Sequence, residues 1–205
     1  MEISVYKTHG IVLKKSDLSD TDRLLTVYTQ KLGKILVRAK GIGKKESKLK
    51  SMIEPFNVCE FTLAKSKTID VLAGGYPIKE FIVLRQNLES LALAIYFAEL
   101  VDKLIAAPER DDKIWALLSR VFYVLDQDQK SPPTPLCQRG ELLPLKKGGW
   151  GRFDKLKSAF EEKLLEYLGL FRFNLNRREK QNYLQSLAGE EIKSERFLRS
   201  LVFTS

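Results

Sequence analysis

The chain has 205 residues, 44% hydrophobic and 30% charged, with a formal net charge of +9. That length carries one large domain or two small ones with a buried core, and no run of about 18 apolar residues exists to cross a membrane. One histidine and two distant cysteines, Cys59 and Cys137, exclude a disulfide framework, a cysteine-rich zinc site and a His-based metal site. The first ten residues lack the basic-then-apolar pattern of a secretory signal, so a cytoplasmic protein with reduced thiols is expected.

The first 83 residues read as β. Tyr6 to Lys14 is rich in β-branched residues, and RLLTVYT (23–29) is a second strand. Gly33 supplies a hairpin turn into a third strand over 34–41. FNVCEFTLAK (56–65) alternates, with Phe56, Val58, Phe61 and Leu63 among the expected buried groups. A turn at Lys65–Lys67 leads into a fifth strand over 68–78. Five short strands with turns between them predict a small antiparallel barrel or sandwich. An OB-fold fits that count, and so does an SH3-like barrel.

Beyond residue 86 the period changes. Leu88, Leu91, Ile95, Ala98, Val101 and Ile105 recur at three- and four-residue steps, which predicts an amphipathic helix over 87–107. Further helices are expected over 111–127, 153–169 with Gly169 as a left-handed cap, 176–189, and 194–203 with Ser194 as N-cap. The expected class is α+β: a five-stranded barrel over 1–83, then an all-helical domain over 84–205. Residues 130–152 interrupt that domain with four of the seven prolines and four of the twelve glycines. Neither period survives there, so a long loop or an inserted segment is expected.

The basic excess lies mainly in the barrel half. Residues 1–85 hold sixteen Lys and Arg against nine Asp and Glu, whereas 86–130 are net acidic. LVRAKGIGKKESKLKS (36–51) concentrates the charge, and its glycines raise the question of a phosphate-binding loop. A P-loop would need glycine where Arg38 stands and a hydroxyl where Lys45 stands, so that chemistry is excluded. His9, alone in the first strand, reads as a surface or packing residue. Asp17, Asp20 and Asp22 have the residue types for a hard cation but read first as a solvated turn. No nucleophile–base pair stands out, and no enzyme is expected.

Tracking along a nucleic acid remains. Lys34, Arg38 and Lys40 are separated by even numbers, so on a strand they share one face, with Ile35, Val37 and Ala39 toward the core. Lys44, Lys45, Lys48 and Lys50 follow in the loop, and these seven cations are the expected DNA-binding residues. Tyr28, Phe56, Phe61 and Tyr76 are the rings that stack bases or, on the preferred reading, fill the barrel.

Residues 10–56, GIVLKKSDLSDTDRLLTVYTQKLGKILVRAKGIGKKESKLKSMIEPF, resemble the RecO family of recombination mediators. LESLALAIYFAELVDKL, FEEKLLEYLG and IKSERFLRS are similar to that family's later helices. The resemblance implies an OB domain followed by a helical domain. It also implies binding of single- and double-stranded DNA, annealing of complementary strands, and loading of RecA together with RecR and the single-strand binding protein SSB. The expected role is non-enzymatic, in DNA repair and recombination; a protein–protein adaptor is the alternative. Many members carry a four-cysteine zinc module after the LLEYLG helix. The corresponding run here, LFRFNLNRREKQNYLQSLAG, has no cysteine, so no zinc or other cofactor is expected.

Overall fold

The computed structural model describes residues 4–42, 49–127 and 149–203. Five strands, β1 (Val5–Asp17), β2 (Arg23–Thr29), β3 (Gly33–Ala39), β4 (Val58–Ala64) and β5 (Asp70–Lys79), close into a barrel in the order β1-β2-β3-β5-β4. The long β1 serves both halves. Its first part pairs with β4 through Val5–Ile11, and its second with β2 through Gly10–Asp17. The ring closes where β3 meets β5 in parallel, Val37 beside Asp70 and Arg38 beside Val71. This is the OB-fold, which decides between the two barrels that strand counting left open.

Inside the barrel, Val12, Leu25, Val27, Val37, Cys59, Phe61 and Leu63 form one core cluster. Ile11, Leu13 and Tyr28 point the other way and belong to the helical core. The outer wall of β1 and β2 is thus one side of the second hydrophobic core. Phe56, expected in a strand, precedes β4 at φ 76° and packs on Phe122, ring centroids 5.3 Å apart. It is buried as expected, but in the helical core rather than the barrel.

Among the described residues six helices follow: α1 (Ile82–Gln86), α2 (Leu88–Leu104), α3 (Asp112–Asp126), α4 (Gly149–Tyr167), α5 (Arg177–Ala188) and α6 (Lys193–Phe203). Asn87 caps α2 by accepting from the Ser90 N–H at 2.8 Å, and Asn176 and Glu179 form a capping box on α5. Gly169 and Gly189 adopt the left-handed conformation after α4 and α5. α1 has too few residues to show a period. It is fixed instead by Arg85, which donates to the Pro55 carbonyl and the Asn57 side chain, and by Asp126, which accepts from the Leu84 N–H.

Two expectations change at helix starts. α4 begins at Gly149, inside the segment expected to be a loop. Phe153, Leu156 and Phe160 are buried in the bundle core and anchor that end, which offsets the poor propensity of its glycines. Residues 128–148 of the expected loop lie outside the described residues. Ser194 does not cap α6 either; it sits in the first turn. The cap is tertiary: the Glu99 carboxylate of α2 accepts from the backbone N–H groups of Lys193 and Ser194 at 3.0 and 2.8 Å, and from the Ser194 hydroxyl. Burial pushes the Glu99 carboxyl up, but these bonds together hold it below its usual value.

Barrel and bundle meet at the β2–β3 turn. Gly33 has φ +70°, and a Cβ there would lie 2.0 Å from the Glu109 carbonyl oxygen. The Tyr28 hydroxyl donates to the Asp111 carbonyl at 3.2 Å and accepts from the Asp111 N–H at 3.1 Å.

Candidate nucleic-acid interface

The outer face of β2 and β3 carries Leu24, Leu36 and Arg38 toward solvent, in cross-strand register Leu24–Arg38 and Thr26–Leu36. β1 continues the face, with Lys14 beside Thr26 and Ser16 beside Leu24. At the other end of the hairpin the same face meets the helices. There Tyr28 is buried and Lys34 is 13% exposed, its ammonium 3.6 Å from the Asp102 carboxylate and donating to the Asp102 carbonyl. The expected basic row therefore divides: the fold withdraws Lys34 into the junction and leaves the Arg38 end open.

Arg38 is held by Asp22. Its Nε and Nη2 donate to Oδ2 at 3.0 and 2.7 Å, while Oδ1 accepts from the Gly41 N–H at 2.9 Å. Asp22 is thus the turn carboxylate that the sequence suggested, bonding a backbone amide, and it fixes where the basic loop leaves β3. Asp17 is paired with Arg23 at 2.8 Å. Among the described residues no group of three His, Cys, Asp or Glu could hold a metal ion. Lys40 and Lys50 are exposed, and Lys44, Lys45 and Lys48 lie outside the described residues.

The Gly41 N–H first, then Arg38, hold the Asp22 carboxyl below its usual value. A depressed carboxyl stabilises the fold above its unfolded pKa of about 4, and that contribution is lost as pH falls through the lower, folded value. We expect the melting-temperature gap between the protein and Asp22→Asn to stay level from neutral pH to about 4 and to close below it. A gap that closed near neutral pH would show that another group controls it.

Sequence reasoning missed three cations on this side. Lys14 is exposed on β1, and Lys65 and Lys67 are exposed in the turn before β5, which starts beside Val37. Asp70 shapes that turn by accepting from the Ser66 N–H at 2.9 Å and from the Tyr6 hydroxyl. No side-chain partner is found for Lys14, Lys40, Lys65 or Lys67 among the described residues. The even spacing of Lys14 and Ser16 on β1 was the available signal, but only the barrel's closure brings β1, β3 and the β4–β5 turn together.

Most of the four rings are core, as the preferred reading expected: Phe61 fills the barrel, and Tyr28 and Phe56 the helical core. Tyr28, Phe56 and Phe61 are buried, and stacking on them is ruled out. Tyr76 is 54% exposed but lies on β5 opposite Glu60, to which its hydroxyl donates at 3.2 Å. The face of β2 and β3 thus offers charges and the exposed Leu36, a surface for phosphates and sugars more than for stacked bases.

Comparison with known proteins agrees with the barrel and the helices. The model of "Recombination protein O N terminal" matches residues 1–81, and that of "Recombination protein O C terminal" matches 85–151. A curated relative from Clostridium kluyveri, "DNA repair protein RecO", is 32% identical over 174 residues, covering 82% of this chain and 67% of the relative. The chain belongs to the RecO family. The RecO of Alkaliphilus metalliredigens is 29% identical over 164 residues, 80% of this chain and 58% of that protein. The RecO of Desulforudis audaxviator is 34% identical over 128 residues, 62% and 51%. The chain therefore spans about half to two thirds of the length of these RecO proteins.

A four-cysteine zinc site of the kind that the sequence resemblance raised does not fit the donors here. The run after α4 has no cysteine. Cys59 lies inside the barrel, where burial pushes its thiol up to about 12, away from the thiolate that zinc needs.

Proposed function

We propose that this RecO-family chain is a DNA-binding recombination mediator. It binds single- and double-stranded DNA, anneals complementary strands, and assists RecA loading with RecR at gaps coated by SSB. It works in the cytoplasm by binding and positioning rather than by catalysis. The observation that carries this reading is the set of lysines, Lys14, Lys40, Lys65 and Lys67, that have no partner among the described residues and stand around the outer face of an OB barrel. Cations without acidic partners neutralise phosphates and release counterions on binding, without reading sequence. Arg38 and the loop lysines 44, 45, 48 and 50 extend that track; Lys34 supports it from beneath. Among the described residues no helix is long and apolar enough to cross a membrane.

The test is annealing of complementary oligonucleotides by the purified protein, bare and coated with SSB. Acceleration of both supports the reading. Binding to neither strand at low salt overturns it in favour of the adaptor. One observation favours that second reading: Phe173 is 83% exposed and packs edge-on against Phe171, an apolar pair presented by the helical half.

This activity needs no zinc. Elemental analysis of the purified protein is expected to find well below one zinc per chain, and activity should survive a chelator. About one zinc per chain would show a site that these residues do not suggest.

A further inference from the structure

Beside the β2–β3 turn lies an open cleft of about 660 Å³, lined by Gln30, Lys31, Arg110, Asp112 and Trp115. Its two walls come from different halves of the molecule: the hairpin tip of the barrel, and the approach to α3 with its first turn. They are locked together by the Tyr28–Asp111 hydrogen bonds and by the close approach of Gly33 to Glu109. The hairpin tip is itself held by Thr29, whose hydroxyl donates to the Gly33 carbonyl and accepts from the Leu32 N–H. The cleft is therefore preformed, so a ligand does not have to organise it.

Its lining has a definite chemistry. Trp115 is half-buried on α3, packs in part against the helical core, and lines the cleft. Lys31 is exposed without a partner among the described residues. Arg110 neutralises Asp112, at 3.1 Å, so the acid adds no net repulsion to the wall. Gln30 offers an amide donor and acceptor. An aromatic side chain held on a helix, an ammonium without a partner among the described residues and an amide match an unpaired nucleobase and its phosphate. β3 separates Lys31 from Lys40 by about 25–30 Å, so one oligonucleotide can meet both.

We propose that this cleft holds one unpaired base of single-stranded DNA, stacked on the Trp115 indole with a flanking phosphate against Lys31. It supplies the ring that the outer face of β2 and β3 lacks, and it rests on the DNA-binding reading above.

The chain has two tryptophans, so Trp150→Phe leaves Trp115 as the only indole reporter. In that background, oligothymidylate of about 12 nucleotides should quench Trp115 emission. Quenching should saturate together with the anisotropy of a labelled oligonucleotide, while a duplex of equal length should leave emission unchanged. Trp115→Ala should weaken oligothymidylate binding about tenfold or more, Trp115→Phe should restore most of it, and Lys31→Glu should weaken it with the fold intact. The quenching needs no change at Trp115, so the test survives if Trp115→Ala does not fold. Binding by anisotropy without quenching overturns this inference and leaves the DNA-binding reading standing. Equal quenching by duplex also overturns it, because paired bases are not free to stack. No binding of either DNA at low salt overturns both.

Discussion

Gly33→Ala will destabilise the protein by about 3–5 kcal/mol, while Gly41→Ala will cost only about 1–2 kcal/mol. Both glycines have left-handed backbones, φ +70° and +65°. Any L-residue pays that conformational penalty at either site. The difference is space. A Cβ at Gly41 meets nothing within 4 Å among the described residues, whereas at Gly33 it runs into the Glu109 carbonyl, backbone that cannot swing aside. The methyl would wedge the hairpin away from the segment before α3 and break the Tyr28–Asp111 hydrogen bonds. Thermal melts of the two variants isolate the steric part, because the backbone strain is shared. Gly33→Ala should melt about 5–10 °C below Gly41→Ala for a chain of this size. Equal melting temperatures would mean that the junction is loose and that the cleft beside it is not preformed.

Replacing Lys14, Lys40, Lys65 and Lys67 together by Ala will lower single-strand affinity a few hundred-fold near 0.1 M salt. It will also flatten the log–log salt slope by roughly 3, at about 0.7 per phosphate contact. These side chains are exposed and have no partners among the described residues, so the fold should be unaffected. All sequences should lose affinity alike, because phosphate contacts do not read bases. Lys34→Ala is the informative control. Its ammonium is engaged with Asp102, so its loss should lower stability and leave the salt slope nearly unchanged. A second control removes equal charge from the helical half, at Lys155, Arg172, Arg178 and Arg196. An equal loss of slope in that variant would show that net charge drives binding and would end the assignment of this face.

Much of the fold was legible because period reports which side of an element is buried. Alternation in FNVCEFTLAK (56–65) marked β4, although Cys59 rather than Val58 shares the barrel core with Phe61 and Leu63, and three- and four-residue steps marked α2. Left-handed glycines marked the turn at Gly33 and the ends of α4 and α5. The barrel's closure was not legible, since parallel pairing of Val37 with Asp70 joins residues with no local signal between them. Nor was α1, whose five residues complete barely more than one turn.

The sequence by itself determined most of the elements, the basic excess of the barrel half and the absence of cysteines after α4, because propensity, charge and composition are local properties. Only the tertiary structure decided which cations are free. Lys34, Arg38 and Lys40 share one face by strand geometry, yet Lys34 meets Asp102 of α2, Arg38 meets Asp22, and Lys40 meets no partner among the described residues. Phe56 and Val58 looked like neighbours of Phe61 in one core, but the first two serve the helices and Phe61 serves the barrel. Trp115 and Lys31 line one cleft only because folding brings them together from 84 positions apart in the sequence. A strand or helix chooses its inner and outer faces from its own residues; which neighbour covers an outer face, and which charge finds a partner there, depends on segments distant in the chain.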